Sequence, residues 1–460
     1  LPSAAAERAP FRPSGTLLAS TLIAALGGLL FGFDTAVISG TTEALQSVYR
    51  LSGFGLGFTV ASALIGTILG SVAVGRPADA FGRRQVLFAI AVLYFVSAVG
   101  SALAWSWWSF IVFRFVGGLG VGGASVVSPM YIAEISPAPL RGRLVAVTQF
   151  NIVLGILLAF FSNYLIAELL LGAAEWRVMF GVEAAPALAF FLLLFATPAS
   201  PRWLAAQSRL AEARGVLARL GTDRGGVEEE LRAIQASLDL EHHRLGEPFF
   251  RRPYRGPILL AVAIAAFNQL SGINALMYYA PAIFRMAGAG PQSALLQTVA
   301  VGGTNLLFTV AAMAIIDRFG RRRLMIVGSV GYIVSLATTA AAFYRYGSEF
   351  TPTGSVVVLA SLLVFIASHA FGQGAVIWVF ISEIFPNRVR ARGQALGSFT
   401  HWVMAALISW TFPMIAAASG GHAFAFYAVM MVLQLVWVLR VMPETKGVPL
   451  EDIQKRLGIA

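Results

Sequence analysis

Cysteine is absent from the 460 residues, which excludes disulfides and thiolate metal sites and leaves the redox compartment unreadable. Charge is scarce. Asp, Glu, Lys and Arg make up 12% of the chain, against 58% hydrophobic residues. With a mean hydropathy of +0.76, the chain carries more apolar surface than a soluble core of this length could hide, and it reads as a polytopic membrane protein in contact with a lipid bilayer. Lysine occurs only at Lys446 and Lys455, so arginine carries the formal net charge of +11. In a soluble protein that charge would suggest nucleic acid. Here the arginines cluster in short loops between apolar runs, as the positive-inside rule expects, and no nucleic-acid partner is expected. N-x-S/T sequons are missing, so nothing points to a glycosylated surface protein. No secretory leader is legible, which implies that the first span inserts directly. Nucleophile–base constellations and metal-ligand spacings are missing too, and His242-His243 sits among charged residues as on a solvated helix. Neither an enzyme nor a cofactor or metal is expected.

What is present is a set of apolar runs of about 20 residues, the length a helix needs to cross roughly 30 Å of hydrocarbon. Twelve are legible. Six lie near 16–40, 54–76, 85–105, 107–133, 143–167 and 176–196, and six more near 256–286, 293–316, 323–344, 354–383, 393–417 and 422–442. The implied divisions are a tail over 1–15, a six-helix bundle over 16–197, a polar helical linker over 198–255, a second bundle over 256–442 and a tail over 443–460. In the linker, Ser200-Pro201 suits an N-cap and first helical position; Ser208 is expected to cap RLAEARGVLARL and Gly221 to stop it.

The halves repeat their punctuation. Asp79-Ala80-Phe81-Gly82-Arg83-Arg84 reappears half a chain later as Asp317-Arg318-Phe319-Gly320-Arg321-Arg322. Glu134-Ile135-Ser136-Pro137, with Arg141 seven residues past the glutamate, reappears as Glu383-Ile384-Phe385-Pro386 with Arg390 at the same spacing. Duplicated halves are how many secondary transporters are built, with the substrate at their interface. Asp34 lies inside the first apolar run, three residues after Phe31. An ionisable group at that depth costs several kcal/mol by common estimates, so it usually faces a cavity or a cation and serves ion or substrate movement. Arg114 in span four and Glu183 in span six are the other intramembrane charges near it in this reading. A buried salt bridge holding helices together is the plainer alternative, although such pairs stabilise weakly because desolvation offsets their attraction.

GRPADAFGRR (75–84) resembles the signature loop of the major facilitator superfamily. PMYIAEISPAPLRGR (129–143), PASPRWL (198–204), NQLSGINALMYYAP (268–281) and PETKG (443–447) narrow the resemblance to the sugar porter family, over nearly the whole chain. It implies an all-α major facilitator fold, twelve transmembrane helices in two six-helix pseudo-symmetric bundles, with both termini cytoplasmic, in the cell membrane, and functional as a monomer.

For a monosaccharide, a ring of hydroxyls with apolar C–H faces, amides that donate and accept and an aromatic plate are the fitting chemistry. Inside a span the same amides also serve as glue between helices. The resemblance places Phe31, Gln149, Ile156, Asn268, Gln269, Asn274, Asn305, Gly374, Trp378, His401 and Trp402 at sugar-site positions. Gln269 and Asn274, five apart, share a helical face only loosely, and Gly272 between them is expected to unwind the helix so that both amides converge. Asn268 stands where the family often has Gln, and His401 where relatives place Asn or Gln. Gly374-Ala375 replaces the usual Gly-Pro, which weakens the expected break in span ten. Ile156 slightly favours a hexose such as glucose over a pentose such as xylose.

Proton-coupled members carry Asp at the Asp34 position, whereas facilitative uniporters carry Asn. The resemblance therefore implies symport with a proton, with Arg114 as fixed counter-charge and Glu183 as its alternative partner. A facilitative uniporter remains the alternative, with a transporter-like sugar sensor or a drug–proton antiporter further off. Tyr278 and Tyr279 resemble a gate or a packed aromatic pair, with Pro281 as hinge. Asp79, Arg83, Arg84, Glu134, Arg141, Asp317, Arg321, Arg322, Glu383, Arg390 and Glu444 form the expected cytoplasmic network, pairing while the inner side is shut. Ala199 replaces the glutamate of the family's PESPR, which implies a less firmly latched N-terminal half.

Overall fold

The computed structural model describes residues 14–221, 224–242, 248–347, 349–386, 389–448 and 453, with the side chains of 224–225, 239–242 and 317 outside the description. Most of both expected tails, His243 and the Asp317 side chain therefore lie outside the described residues. Among the described residues, twelve helical segments are long and apolar enough to cross a membrane: Gly15–Gly40, Gly53–Ala73, Arg83–Ala102, Trp107–Ile135, Arg141–Glu168, Gly172–Ala196, then Arg252–Met286, Pro291–Ile316, Arg321–Tyr346, Pro352–Ile384, Arg390–Ala418 and Gly420–Arg440. They are numbered below as spans one to twelve. All twelve expected spans are present, with ends shifted by a few residues.

Local chemistry starts many of these helices. Ser14, Ser52, Ser106 and Thr351 each accept a backbone N–H of the first turn, removing one of the donors a helix start leaves orphaned. The two GRR turns use glycine instead. Gly82 and Gly320 have φ of +89° and +88°, a conformation only glycine adopts without strain, and each lets the chain reverse from one span into the next.

Spans one to six pack on one another and spans seven to twelve likewise, giving two bundles. One hydrophobic core joins the bundles, gathering Phe33, Val37, Phe160 and Trp176 of the first half with Ile273, Phe284, Trp402 and Phe412 of the second. Toward the end that carries the arginine turns, called the basic end here, the core divides. Val86, Tyr94, Tyr131 and Phe190 form a cluster in the first half, and Leu324, Phe380, Phe385 and Met442 a separate one in the second. Span two meets span eleven toward the far end, with Phe54 and Phe58 each 5.2 Å from Trp410 between ring centroids. Arg285 pairs with Glu43 across the halves at 2.5 Å. The halves thus share one hydrophobic core at the far end and have separate ones toward the basic end.

Between the bundles, the linker forms helices Pro201–Ala206, Leu210–Arg219 and Arg224–His242 around a small core of Leu204, Leu217, Val227 and Leu231. Ser200 caps the first as expected, accepting from the Trp203 N–H with Pro201 in the first turn. Gly221 ends the second at φ +94°. Ser208 differs from expectation. It sits at φ +60° and Arg209 is the N-cap, without a side-chain bond, because the chain leaves the first helix through a left-handed turn that carries the Ser208 hydroxyl away from the next helix start.

Candidate functional site

Asp34, Arg114 and Glu183 come together as expected. All three are 1% exposed. Arg114 donates from Nη1 to Asp34 Oδ1 at 2.6 Å and from Nη2 to the Asp34 carbonyl at 3.1 Å, and its guanidinium lies 5.3 Å over the Phe180 ring. The second Asp34 oxygen, both Glu183 oxygens and Arg114 Nε are buried with no hydrogen-bond partner, and Glu183 lies close enough to feel both other charges. One guanidinium therefore faces two carboxylates and is bonded to one of them. Close approach of helices makes room for this. A Cβ on Gly117 would clash with the Ser97 hydroxyl and stand 3.2 Å from Asp34 Oδ1, so glycine there lets span four approach span three and the carboxylate closely. Gly118 and Gly122 of span four pack against the backbone of span two, as small residues at membrane helix interfaces do.

The amides of span seven converge through a break in the helix. Gly272 takes φ +85° and separates helix Arg255–Leu270 from Ile273–Met286. Asn274 then donates to Gln269 Oε1 at 2.8 Å, and Gln269 Nε2 donates to Asn268 Oδ1 at 2.9 Å while lying 3.3 Å from the His401 ring nitrogens. The unwinding expected at Gly272 is what the chain does. Against this cluster stand aromatic rings in tilted and edge-on contact. His401 is 5.3 Å from Trp378 and 4.9 Å from Trp402, and Trp402 is 5.6 Å from Phe31 of the other half. Trp378 remains 37% exposed, as a plate for a ligand would be. Gln149 is exposed, whereas Ile156 is buried in the shared core and Asn305 is buried in span eight; neither Gln149 nor Asn305 belongs to the bonded amide cluster.

Span ten departs from expectation. Although Gly374-Ala375 lacks proline, residues Ala370–Gly374 form a π-helical turn, so the break is kept by a widened turn instead of by ring sterics. Two polar residues absent from the sequence-based expectations, His369 and Gln373, lie here. His369 Nδ1 is 2.5 Å from the Tyr332 hydroxyl. Gln373 donates to Gln434, which donates to Ser329 at 2.8 Å, a buried polar chain tying spans nine, ten and twelve. A widened turn cannot be seen in a sequence whose apolar pattern is helical on both sides of it.

The tyrosines after the break are buried. Tyr279 has non-helical φ/ψ of −124° and 15°, bonds the Ser409 carbonyl at 2.9 Å and lies 5.1 Å from Phe412. Tyr278 lies beside Thr35 within electrostatic reach of Asp34 and Arg114. Tyr278 thus extends from the second half to the charged cluster of the first.

At the basic end the two halves repeat one design. Arg83 bonds Glu134 Oε1 at 2.9 Å and reaches Asp79 at 3.1 Å, and Arg321 pairs with Glu383 at 2.8 Å. Ser200 donates to Glu134 at 2.5 Å and Thr445 to Glu383 at 2.6 Å. The second arginine of each turn does something else. Arg84 binds the carbonyls of Leu194 and Phe195, and Arg322 those of Val438 and Leu439, which completes the C-terminal ends of spans six and twelve. Glu444 accepts from the Arg321 and Arg322 backbone N–H groups at 2.9 and 3.1 Å, capping span nine from a distant segment. Arg390 borders a hollow of about 290 Å³ with Ser382, Glu383 and Thr445, and Arg141 is exposed. Every one of these bonds lies within one half and its adjoining linker or tail, so none of them ties the two halves to each other directly. One expectation is corrected. Glu444 serves a helix start, not arginine side chains, so the Ala199 substitution removes a cap from span three, where Gly82 has no side-chain bond.

Residues 20–457 match the family model described as sugar (and other) transporter. The chain is 40% identical to the D-xylose-proton symporter of Escherichia coli (strain K12), over 96% of each chain. It is 37% identical to the glucose transport protein of Synechocystis sp. (strain ATCC 27184 / PCC 6803 / Kazusa), over 94% of this chain and 95% of that one. Its structure superposes on the inward open conformation of the xylose transporter XylE from E. coli with a TM-score of 0.84, at 39% identity, covering 96% and 99% of the two chains. By sequence along almost its whole length and by its duplicated helical architecture, the chain belongs to the sugar-transporter family of the major facilitator superfamily.

Proposed function

We propose that the protein is a proton-coupled monosaccharide symporter working by alternating access in a cell membrane. The observation that carries the reading is the buried Asp34–Arg114–Glu183 cluster, which leaves one carboxylate unpaired beside a permanent cation, set against an amide and aromatic pocket suited to a sugar. Protonation of Asp34 weakens its hold on Arg114, and Glu183 is placed to receive the guanidinium, so the buried cation never stands alone. Binding and release of the proton thereby change which helices the cation ties together, and a coupled carrier needs such a two-state element. Tyr278, reaching Thr35 from the other half, supports communication between this cluster and the sugar side.

In this reading the basic end faces the cytoplasm, as its arginines favour, together with the start of span one and the end of span twelve, and the likeness to the inward open conformation of XylE supports an inward-facing arrangement. The chain divides as a bundle over 16–197, a linker over 198–255 and a bundle over 256–442. A single chain carries the whole pathway, consistent with function as a monomer. The relatives handle D-xylose and glucose, and the pocket accommodates the chemistry of either. A facilitative uniporter is the second reading, favoured only if Asp34 keeps one protonation state. Purified protein in liposomes, given labelled D-glucose and D-xylose with and without an imposed pH gradient, separates them. Accumulation above equilibrium only with the gradient supports symport; equilibration unaffected by the gradient overturns it.

A further inference from the structure

His369 lies within span ten between Ser368 and Gln373, and the local backbone turns its ring toward Gly374. In an unbroken α-helix, residues five apart point to different faces. The π-helical turn over Ala370–Gly374 closes its bonds five residues apart and brings His369 round beside Gly374. The His369 Cδ2 and Nε2 atoms lie 3.3 and 3.5 Å from where a Cβ of residue 374 would stand. Because residue 374 is glycine, no side chain from that position lies over this edge of the imidazole. Trp378 follows one helical turn later, its ring tilted against that of His401 with centroids 5.3 Å apart. The opposite edge of His369 is held, since Nδ1 lies 2.5 Å from the hydroxyl of the fully buried Tyr332.

We propose that His369 is a sugar-recognition residue, held by Tyr332 through Nδ1 and offering Nε2 to one hydroxyl of the monosaccharide bound against Trp378. This rests on the transport reading above. A hydroxyl both donates and accepts, so either tautomer of His369 can bond it. The π turn then has a function: it exchanges regular hydrogen bonding in span ten for one more polar contact in the pocket. With Gln269, Asn274 and His401, His369 makes the wall built by the second half able to distinguish sugars by the presence of a particular hydroxyl, because a site built around a hydroxyl rejects the analogue lacking it.

Binding of D-xylose, D-glucose, D-galactose and L-arabinose to the purified full chain, followed by the monodeoxy analogues of whichever binds best, tests this. His369→Phe keeps ring size and removes the polar edge, and affinity for the best sugar should fall about tenfold, the loss of one hydrogen bond. One deoxy analogue should bind wild type and His369→Phe equally, identifying the hydroxyl. His369→Gln, whose amide reaches the Nε2 position, should recover most of the loss. Tyr332→Phe should weaken the same sugar less, and again not that analogue. If His369→Phe binds every sugar as wild type does while Gln269→Ala weakens them, the inference is overturned and the transport reading stands. A tenfold loss shared by every deoxy analogue and not recovered by His369→Gln also overturns it, since that is the signature of altered packing. Wild-type protein that binds none of the four sugars overturns the transport reading and this inference together.

Discussion

At the scale of single residues, the buried charges have the sharpest consequences. Asp34→Asn should abolish accumulation driven by a pH gradient and leave sugar counterflow substantially intact; equal loss of counterflow would move Asp34 into the sugar site. Glu183 should make that variant foldable, because its two unpartnered oxygens can take the guanidinium. Removing both acids leaves Arg114 buried and unpaired, a situation that costs about 3–5 kcal/mol. Thermal or denaturant unfolding in nanodiscs should therefore show Asp34→Asn near wild type and Asp34→Asn/Glu183→Gln far less stable. Similar stabilities would mean that water, not Glu183, compensates Arg114. In the pocket, Gln269→Ala should weaken sugar binding by roughly 1–3 kcal/mol through the loss of a buried amide bond, measured by calorimetry on folded protein. These acids and amides were all legible in the sequence because ionisable and amide groups are rare inside apolar spans. His369 was not: its orientation depends on a turn of five residues that no apolar pattern records.

Secondary-structure elements act here through their ends. Span nine begins at a glycine that offers no side-chain cap, and Glu444 fills that place from the far side of span twelve. Glu444→Ala should cost about 0.5–2 kcal/mol, the range for loss of a helix cap, read as a lower unfolding midpoint with unchanged sugar affinity. The matching change in the first half runs the other way. Ala199→Glu places a carboxylate where Ser200 and Thr445 mark equivalent positions in the two halves, and it should raise the midpoint by capping span three. A variant that instead shifts the conformational equilibrium without changing stability would restore a latching role for this position. The glutamate of PETKG was visible in the sequence, but its partners were backbone N–H groups of another span, and those are set by tertiary packing alone.

For the whole molecule, the decisive feature is that the halves share one core at the far end and keep separate cores at the basic end. Sealing at the far end rests mainly on apolar and aromatic contact, to which the partly exposed Glu43–Arg285 pair adds little. Such pairs contribute about 0–1 kcal/mol. Glu43→Gln should thus shift the population toward the state open at the far end by at most about fivefold, detectable as altered distance distributions between spin labels on spans two and eleven. An unchanged distribution would assign the seal entirely to the aromatic contacts.

Membrane insertion, the count of twelve spans, the duplication and the family are determined by sequence alone, because hydrophobic run length and repeated loop chemistry are local properties written along the chain. The unwinding at Gly272 belongs with them, since a glycine between two amides five residues apart can be read locally, whereas its left-handed φ of +85° is a finding of the structure. Tertiary structure decided which carboxylate holds Arg114, which arginine of each turn meets an acid and which meets carbonyls, and that Tyr278 crosses to the other half. It also decided at which end the two halves share a hydrophobic core. The reason is physical: these depend on distances between spans brought together by packing two bundles, and small free-energy differences between alternative packings of the same spans leave no mark on hydrophobicity or spacing.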